Sequence, residues 1–168
     1  MLRSKPETAA LRKARAMANG DEPERIFQQA VGFHQAQKIL MESSPNDQRE
    51  ALVPPVCVLA AFTSELMLKC LICIERGSPP RGHDLLALFN ELTAPTRKRL
   101  EVMWTDYVQH HPDRAAFKKA EVTMEPELTS ALAAGRKGFE VIRYWHEEPD
   151  CRQVTDGVIC TTVSEALP

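Results

Sequence analysis

The stretch VCVLAAFTSELMLKCLICI, residues 56–74, decides the fold of this chain. It is apolar enough to suggest a membrane span, yet Glu65 and Lys69 lie near its middle. A charged side chain at the centre of a bilayer costs about 2.5 to 3.5 kcal/mol on insertion scales, and this stretch carries two. We therefore predict a helix that is buried in a protein core and makes no membrane contact.

The residues around this stretch predict where the central helix begins and ends. Pro54 and Pro55 predict its start, because proline suits the first turn of a helix. Gly77, which Pro79 and Pro80 follow, predicts its end.

Apolar residues at helical spacing on both sides of the central helix predict further helices. We expect helices over residues 22–42, from residue 84, and over 95–110, then a short helix or loop within 113–125 and a long helix over 126–148. The pair Asp156-Gly157 lies between β-prone runs and predicts a hairpin at 153–160. The predicted fold class is an all-α helical bundle with a small C-terminal β-hairpin.

Length and charge limit the domain organisation and the partners. At 168 residues the chain fits one domain, which we divide into a basic flexible N-terminal arm (1–20) and a single helical domain (21–168). The formal net charge of -2 excludes a global basic field, so a nucleic acid would have to bind a local patch.

The five cysteines indicate a reduced protein. Residues 1–20 contain no apolar core of a signal peptide, so we expect a cytoplasmic location. Cys70 and Cys73 form a C-x-x-C pattern, but no second pair follows at zinc spacing. Two buried thiols are therefore expected, with no metal and no cofactor.

A charged stripe lies on the predicted central helix. At about 100° per residue, Glu65, Lys69 and Arg76 share one face of an otherwise apolar helix. One interpretation is a simple i,i+4 pair between Glu65 and Lys69 at a helix edge. The alternative is that burial forces these charges to find partners from other elements.

Histidine and arginine side chains are the candidate partners. His83 precedes a predicted helix, where it either caps a backbone group or reaches Glu65. His146 continues the apolar stripe of the last predicted helix, and Arg143 flanks that stripe. His110 and His111 are expected to be exposed in a loop.

Three sequence pieces together resemble the HEPN-like superfamily of small α-helical domains. They are Glu65-Leu66-Met67-Leu68-Lys69, then Gly82-His83-Asp84-Leu85, and finally Phe139-Glu140-Val141-Ile142-Arg143-Tyr144-Trp145. The pieces are scattered over residues 56–146. The nuclease branch of that superfamily carries an Arg-x(4–6)-His motif, from which this chain departs. Only two residues separate Arg143 from His146, and although Arg76 and His83 have the required spacing, the glycine and prolines between them break any helix there.

The resemblance implies a homodimeric bundle from a bacterial defence, toxin-antitoxin or stress system. It would bind RNA, a nucleotide or a partner protein through a groove that we assign to Glu65, Lys69, His83, Arg143 and Tyr144. One alternative is a metal-independent ribonuclease whose catalytic candidates are His83, Arg143 and His146. The other alternative is a structural interaction module in which Glu65, Lys69 and Arg143 form a buried network.

Overall fold

A computed structural model describes residues 22–43, 49–119 and 124–136. Helices account for 83% of these residues, and no strand occurs among them, so the prediction of an all-α fold is confirmed for this part of the chain. The predicted N-terminal arm, the hairpin and the later part of the last helix lie outside the described residues. In chain order the helices are α1 (Glu22–Ser43), α2 (Arg49–Arg76), α3 (Leu85–Glu91), α4 (Ala94–His110), α5 (Arg114–Lys119) and α6 (Leu128–Gly135).

The helix α1 packs along α2. Two acidic residues, Glu22 and Glu24, lie in its first turn, where their negative charges interact favourably with the positive end of the helix dipole. Phe33 of α1 and Phe62 of α2 stack with ring centroids 5.4 Å apart. The apolar spacing of residues 22–42 marks this packed face only in part, because Ile39 is 62% exposed.

The start of α2 differs from the prediction. The helix begins at Arg49, so Pro54 and Pro55 lie inside it rather than at its first turn. Proline lacks an N–H, and the carbonyl groups four residues earlier therefore lose their helical donors. The part Ala51–Arg76 is long and apolar enough to cross a membrane, but half of its most apolar window is buried inside the protein, as in a core helix.

Short polar contacts lie at the end of α2 and at the start of α3. Gly77 ends α2 with φ +78° and donates its N–H to the Cys73 carbonyl at 2.8 Å. Asp84 caps α3 by accepting the Ala87 N–H at 3.0 Å, and Thr93 occupies the N-cap position of α4. The ends at Gly77 and Asp84 agree with the sequence signals, whereas the Thr93 side chain makes no cap hydrogen bond.

The core joins α2, α3, α4 and α6. Its fully buried side chains are supplied from all four helices: Leu68, Ile72, Leu85, Leu88, Phe89, Leu92, Leu100, Trp104, Leu128, Ala131 and Leu132. Trp104 also donates its indole N–H to the Glu125 carbonyl at 3.1 Å, which fixes the chain before α6. This core fixes α2 and α3, which the connection of residues 77–84 joins.

His111 contradicts the prediction of an exposed loop residue. Its ring is buried, lies edge-on to Tyr107 at 5.0 Å and packs beside Phe117 at 4.9 Å. Its Nδ1 accepts the Asp113 N–H at 3.1 Å. His110, in contrast, is exposed as predicted, although it is the last residue of α4.

Candidate functional site

A buried carboxylate lies at the centre of the candidate site. Glu65 occupies the middle of α2, and only 8% of its side chain is exposed. Its Oε1 accepts the Lys69 ammonium at 2.8 Å and the His83 Nδ1 at 3.0 Å, and its Oε2 lies 3.1 Å from the same nitrogen. Glu65 is therefore buried and has a partner from outside α2. This is the alternative interpretation of the charged stripe, in which Glu65 contacts His83.

The loop between α2 and α3 positions His83. Pro79 and Pro80 stiffen this loop, and Gly82 turns it with φ +101°, a backbone conformation that favours glycine. Asp84 then anchors the loop at the start of α3. The imidazole of His83 is 71% exposed, so one edge of the ring contacts the buried carboxylate while the other edge faces solvent.

The contact with Glu65 fixes the tautomer of His83. An ionised carboxylate only accepts hydrogen bonds, so Nδ1 must carry the proton. Neutral His83 therefore presents the lone pair of Nε2 to solvent, and protonated His83 presents an N–H that can donate to an anion. A carboxylate that orients an imidazole in this way is the usual arrangement of a histidine acid or base.

Each carboxylate near the loop is matched by a cation other than His83. Lys69 pairs with Glu65, and Arg136 of α6 donates to Asp84 Oδ2 from Nε at 2.9 Å and from a terminal nitrogen at 2.6 Å. Arg81 is exposed and makes no hydrogen bond or ion pair with any residue of the described chain. Arg81 therefore gives this loop a local excess of positive charge, and the solvent edge of His83 adds a hydrogen-bond donor when the ring is protonated.

Hydrogen bonds also lower the pKa of Asp84. The backbone N–H of Ala87 is the main cause, followed by the Arg136 guanidinium. Asp84 therefore stays ionised beside His83 and ties the loop to α6.

Arg76 does not belong to this site, although the stripe on α2 grouped it with Glu65 and Lys69. It pairs with Glu91 of α3, with a guanidinium nitrogen 2.6 Å from Glu91 Oε2, and it also donates to the Glu91 carbonyl. The neighbouring Glu75 accepts hydrogen bonds from the side chains of Thr93 and Thr96, which lower its pKa. The end of α2 thus serves to hold α3 and α4.

The structure brings three of the predicted site residues together: Glu65, Lys69 and His83. Arg143, Tyr144 and His146 lie outside the described residues. Sequence reasoning missed Arg81 and the Asp84–Arg136 pair. The exposed Arg-Gly-His-Asp run was a local signal for Arg81, but no local pattern joins Asp84 to a residue 52 positions away.

The cysteines divide into two kinds. Cys70 and Cys73 are free, and burial raises the pKa of both thiols, as expected for small apolar residues of a core. Cys57 is disulfide-bonded, which contradicts the expectation of a fully reduced set. In the described part of the chain, no three His, Cys, Asp or Glu side chains are grouped so that they could hold a metal ion.

No protein-family model matches this sequence, and comparisons with curated proteins and with solved structures found no significant match.

Proposed function

We propose that this protein is a helical domain that binds RNA through phosphate contacts at His83 and Arg81. The observation that carries the proposal is the solvent edge of His83, whose other edge is fixed by buried Glu65. A histidine held in this way is already oriented before a ligand arrives, so little side-chain entropy is lost on binding. Arg81 adds a guanidinium, which pairs well with phosphate.

The HEPN-like sequence pieces favour RNA over other phosphate-bearing ligands, because one branch of that superfamily acts on RNA. On this proposal the domain binds as a homodimer in a bacterial defence, toxin-antitoxin or stress system. The net charge of -2 fits a local contact rather than a long basic groove, so we expect few phosphates to be bound.

A gel-retardation experiment with labelled mixed-sequence RNA tests the proposal. We expect retardation that weakens as salt rises, and Arg81→Ala should reduce the slope of log affinity against log salt by about one. His83→Ala should weaken binding several-fold. His110→Ala is the matched control, because His110 is equally exposed and also has Nδ1 near a carboxylate, Asp106 at 3.1 Å, but lies at the end of α4.

The outcomes separate the proposal from its rivals. Equal retardation by the wild type, His83→Ala and Arg81→Ala would contradict a phosphate site in this loop. The absence of any retardation would contradict RNA binding altogether and favour the structural interaction module.

A second candidate, a metal-independent ribonuclease, is favoured by the Glu65–His83 contact itself. In that reaction His83 Nε2 removes the proton of an RNA 2′-hydroxyl, and Glu65 stabilises the imidazolium that forms. The 2′-oxygen bonds to the adjacent phosphorus as the bond from phosphorus to the 5′-oxygen breaks, and the departing 5′-oxygen takes a proton from water. RNA cleavage that persists in EDTA, is lost in His83→Ala and survives in His110→Ala would support this candidate. Arg143→Ala and His146→Ala test the other two catalytic candidates in the same assay.

A further inference from the structure

A second potential binding site lies away from His83, between α1, α2 and α4. It is a groove of about 330 Å³, within the range of about 300 to 1,000 Å³ that is usual for small-molecule sites. Its walls are mostly apolar and come from all three helices: Phe27, Met67, Leu71, Ile74, Leu100 and Met103. None of these residues takes part in the proposed RNA contact.

Contacts between the helices give the direction of the groove. Glu75 at the end of α2 accepts hydrogen bonds from Thr93 and Thr96 at the start of α4, so the last turn of α2 lies beside the first turn of α4. Ile74, the neighbour of Glu75 in sequence, therefore lies near Thr96, and Met67 lies two turns of α2 away from that end.

The length of the groove follows from its wall on α2. Met67 and Ile74 are seven residues apart, which corresponds to about 10 Å of helix. An extended chain advances about 1.2 Å per bond, so about eight bonds span that distance. Methionine side chains at one end can adjust to an alkyl chain of slightly different length.

One charged side chain that lines the groove has no partner of opposite charge in the described part of the chain. Arg99 lies on the rim, is exposed and makes no hydrogen bond or ion pair with the described residues. Arg99 follows Thr96 by less than one turn of α4, so it belongs to the Ile74 end of the groove, where Glu75 already accepts hydrogen bonds from Thr93 and Thr96. The Cys70 thiol inside the groove stays protonated, because burial raises its pKa, and therefore adds no negative charge.

Ile74 shows that the apolar wall continues to the surface. Its side chain is among the most exposed large hydrophobic side chains of the described residues, with 64% of the residue accessible. A single exposed apolar residue is ordinary on a protein surface. Here, however, it extends an apolar wall that ends beside an unpaired guanidinium, which is the pattern of a site for an amphiphilic anion.

We propose that this groove binds a medium-chain alkyl carboxylate, with the alkyl chain along α2 and α4 and the carboxylate held by Arg99. Burial of the chain supplies most of the affinity, because each buried methylene group strengthens binding about fourfold. The guanidinium supplies the preference for a carboxylate over a neutral head group.

Isothermal titration calorimetry with decanoate below its micelle concentration, and with decanol as the neutral analogue, tests the proposal. We expect saturable binding of one decanoate per chain. Arg99→Gln should weaken decanoate binding about tenfold and leave decanol binding unchanged. Ile74→Asp should weaken the binding of both ligands, and its exposed position makes the change compatible with folding, which the melting temperature checks.

Lys98→Gln is the matched control, because it removes the neighbouring cation, which lines a different cleft. It should leave decanoate binding unchanged, as should His83→Ala. The absence of saturable binding by the wild type would overturn the proposal. Equal losses in Lys98→Gln and Arg99→Gln would overturn it too, since they would indicate a general effect of positive charge. Decanoate binding that survives when the RNA assay fails would separate this groove from the proposed RNA site.

Discussion

Glu65 is buried between Lys69 and His83, and its removal leaves a cation without a partner. Lys69 is 16% exposed, so water replaces the lost carboxylate only in part. We expect Glu65→Ala to lower the free energy of unfolding by about 2 to 4 kcal/mol, measured by urea denaturation at pH 7.

Two further variants test the cause of that loss. Glu101→Ala removes an exposed carboxylate 3.8 Å from Lys98 and should change the free energy of unfolding by no more than about 1 kcal/mol. Adding Lys69→Met to Glu65→Ala should restore part of the stability, because no charge is then stranded. A double variant as unstable as Glu65→Ala would show that packing, not charge, causes the loss.

The three described cysteines should differ in their reaction with an alkylating reagent. Thiolates are the reactive form, and burial raises the pKa of Cys70 and Cys73, so both should react slowly in the native protein and quickly after unfolding. Cys57 should remain unmodified in denaturant until a reductant is added, because it is disulfide-bonded. Mass spectrometry of the digested protein reads each position, and labelling of Cys57 without reductant would contradict the disulfide.

At the level of helices, glycine has opposite roles in two places. Gly77 ends α2 with φ +78°, whereas Gly32 lies inside α1, and an added methyl group would meet no atom within 4 Å at either position. Gly77→Ala should therefore destabilise the protein by about 1 kcal/mol through backbone strain alone. Gly32→Ala should stabilise it by about 0.5 to 1 kcal/mol, because alanine favours a helix. Thermal unfolding shows whether each variant is less or more stable than the wild type. A Gly77→Ala variant that is more stable would contradict the strained conformation.

The sequence predicted those parts of the helices that depend on local chemistry. Gly77 and Asp84 sit where the caps require such residues, so these helix ends were predictable. The start of α2 was not, because Pro54 and Pro55 usually begin a helix rather than interrupt one. Burial of His111 depends on its contact with Phe117, which lies beyond the next turn. Helical periodicity does not predict a contact of this kind.

The candidate site also combines contacts that local sequence predicts with contacts that it does not. Helical spacing alone placed Glu65 beside Lys69, because residues four apart on a helix are neighbours. His83 was a candidate partner from its position before α3, yet its actual contact depends on how the loop folds back over α2. The Asp84–Arg136 pair requires the whole core to bring α3 against α6, so the sequence offered no signal for it.

For the molecule as a whole, two carboxylates outside the core link helices that are distant in sequence. Glu75 joins α2 to α4, and Asp84 joins α3 to α6. The core holds these helices through apolar contacts that do not depend on pH, whereas the two carboxylate links weaken when they are protonated. Acid should therefore act on how the helices are joined before it acts on the helices themselves.

The sign of this effect follows from the lowered pKa values of Asp84 and Glu75. A carboxyl group with a lower pKa in the folded protein binds its proton more tightly when unfolded, so its contribution to stability is present above about pH 4 and is lost as the pH falls further. We expect urea denaturation to show a marked loss of stability between pH 6 and pH 3 in the wild type. The double variant Glu75→Gln, Asp84→Asn should start less stable at pH 6 and lose less on acidification. Asp106→Asn is the control, because Asp106 pairs with His110 of the same helix, and its acid-induced loss should match the wild type. If the double variant lost as much as the wild type, the two links would not be the acid-sensitive contacts of this fold.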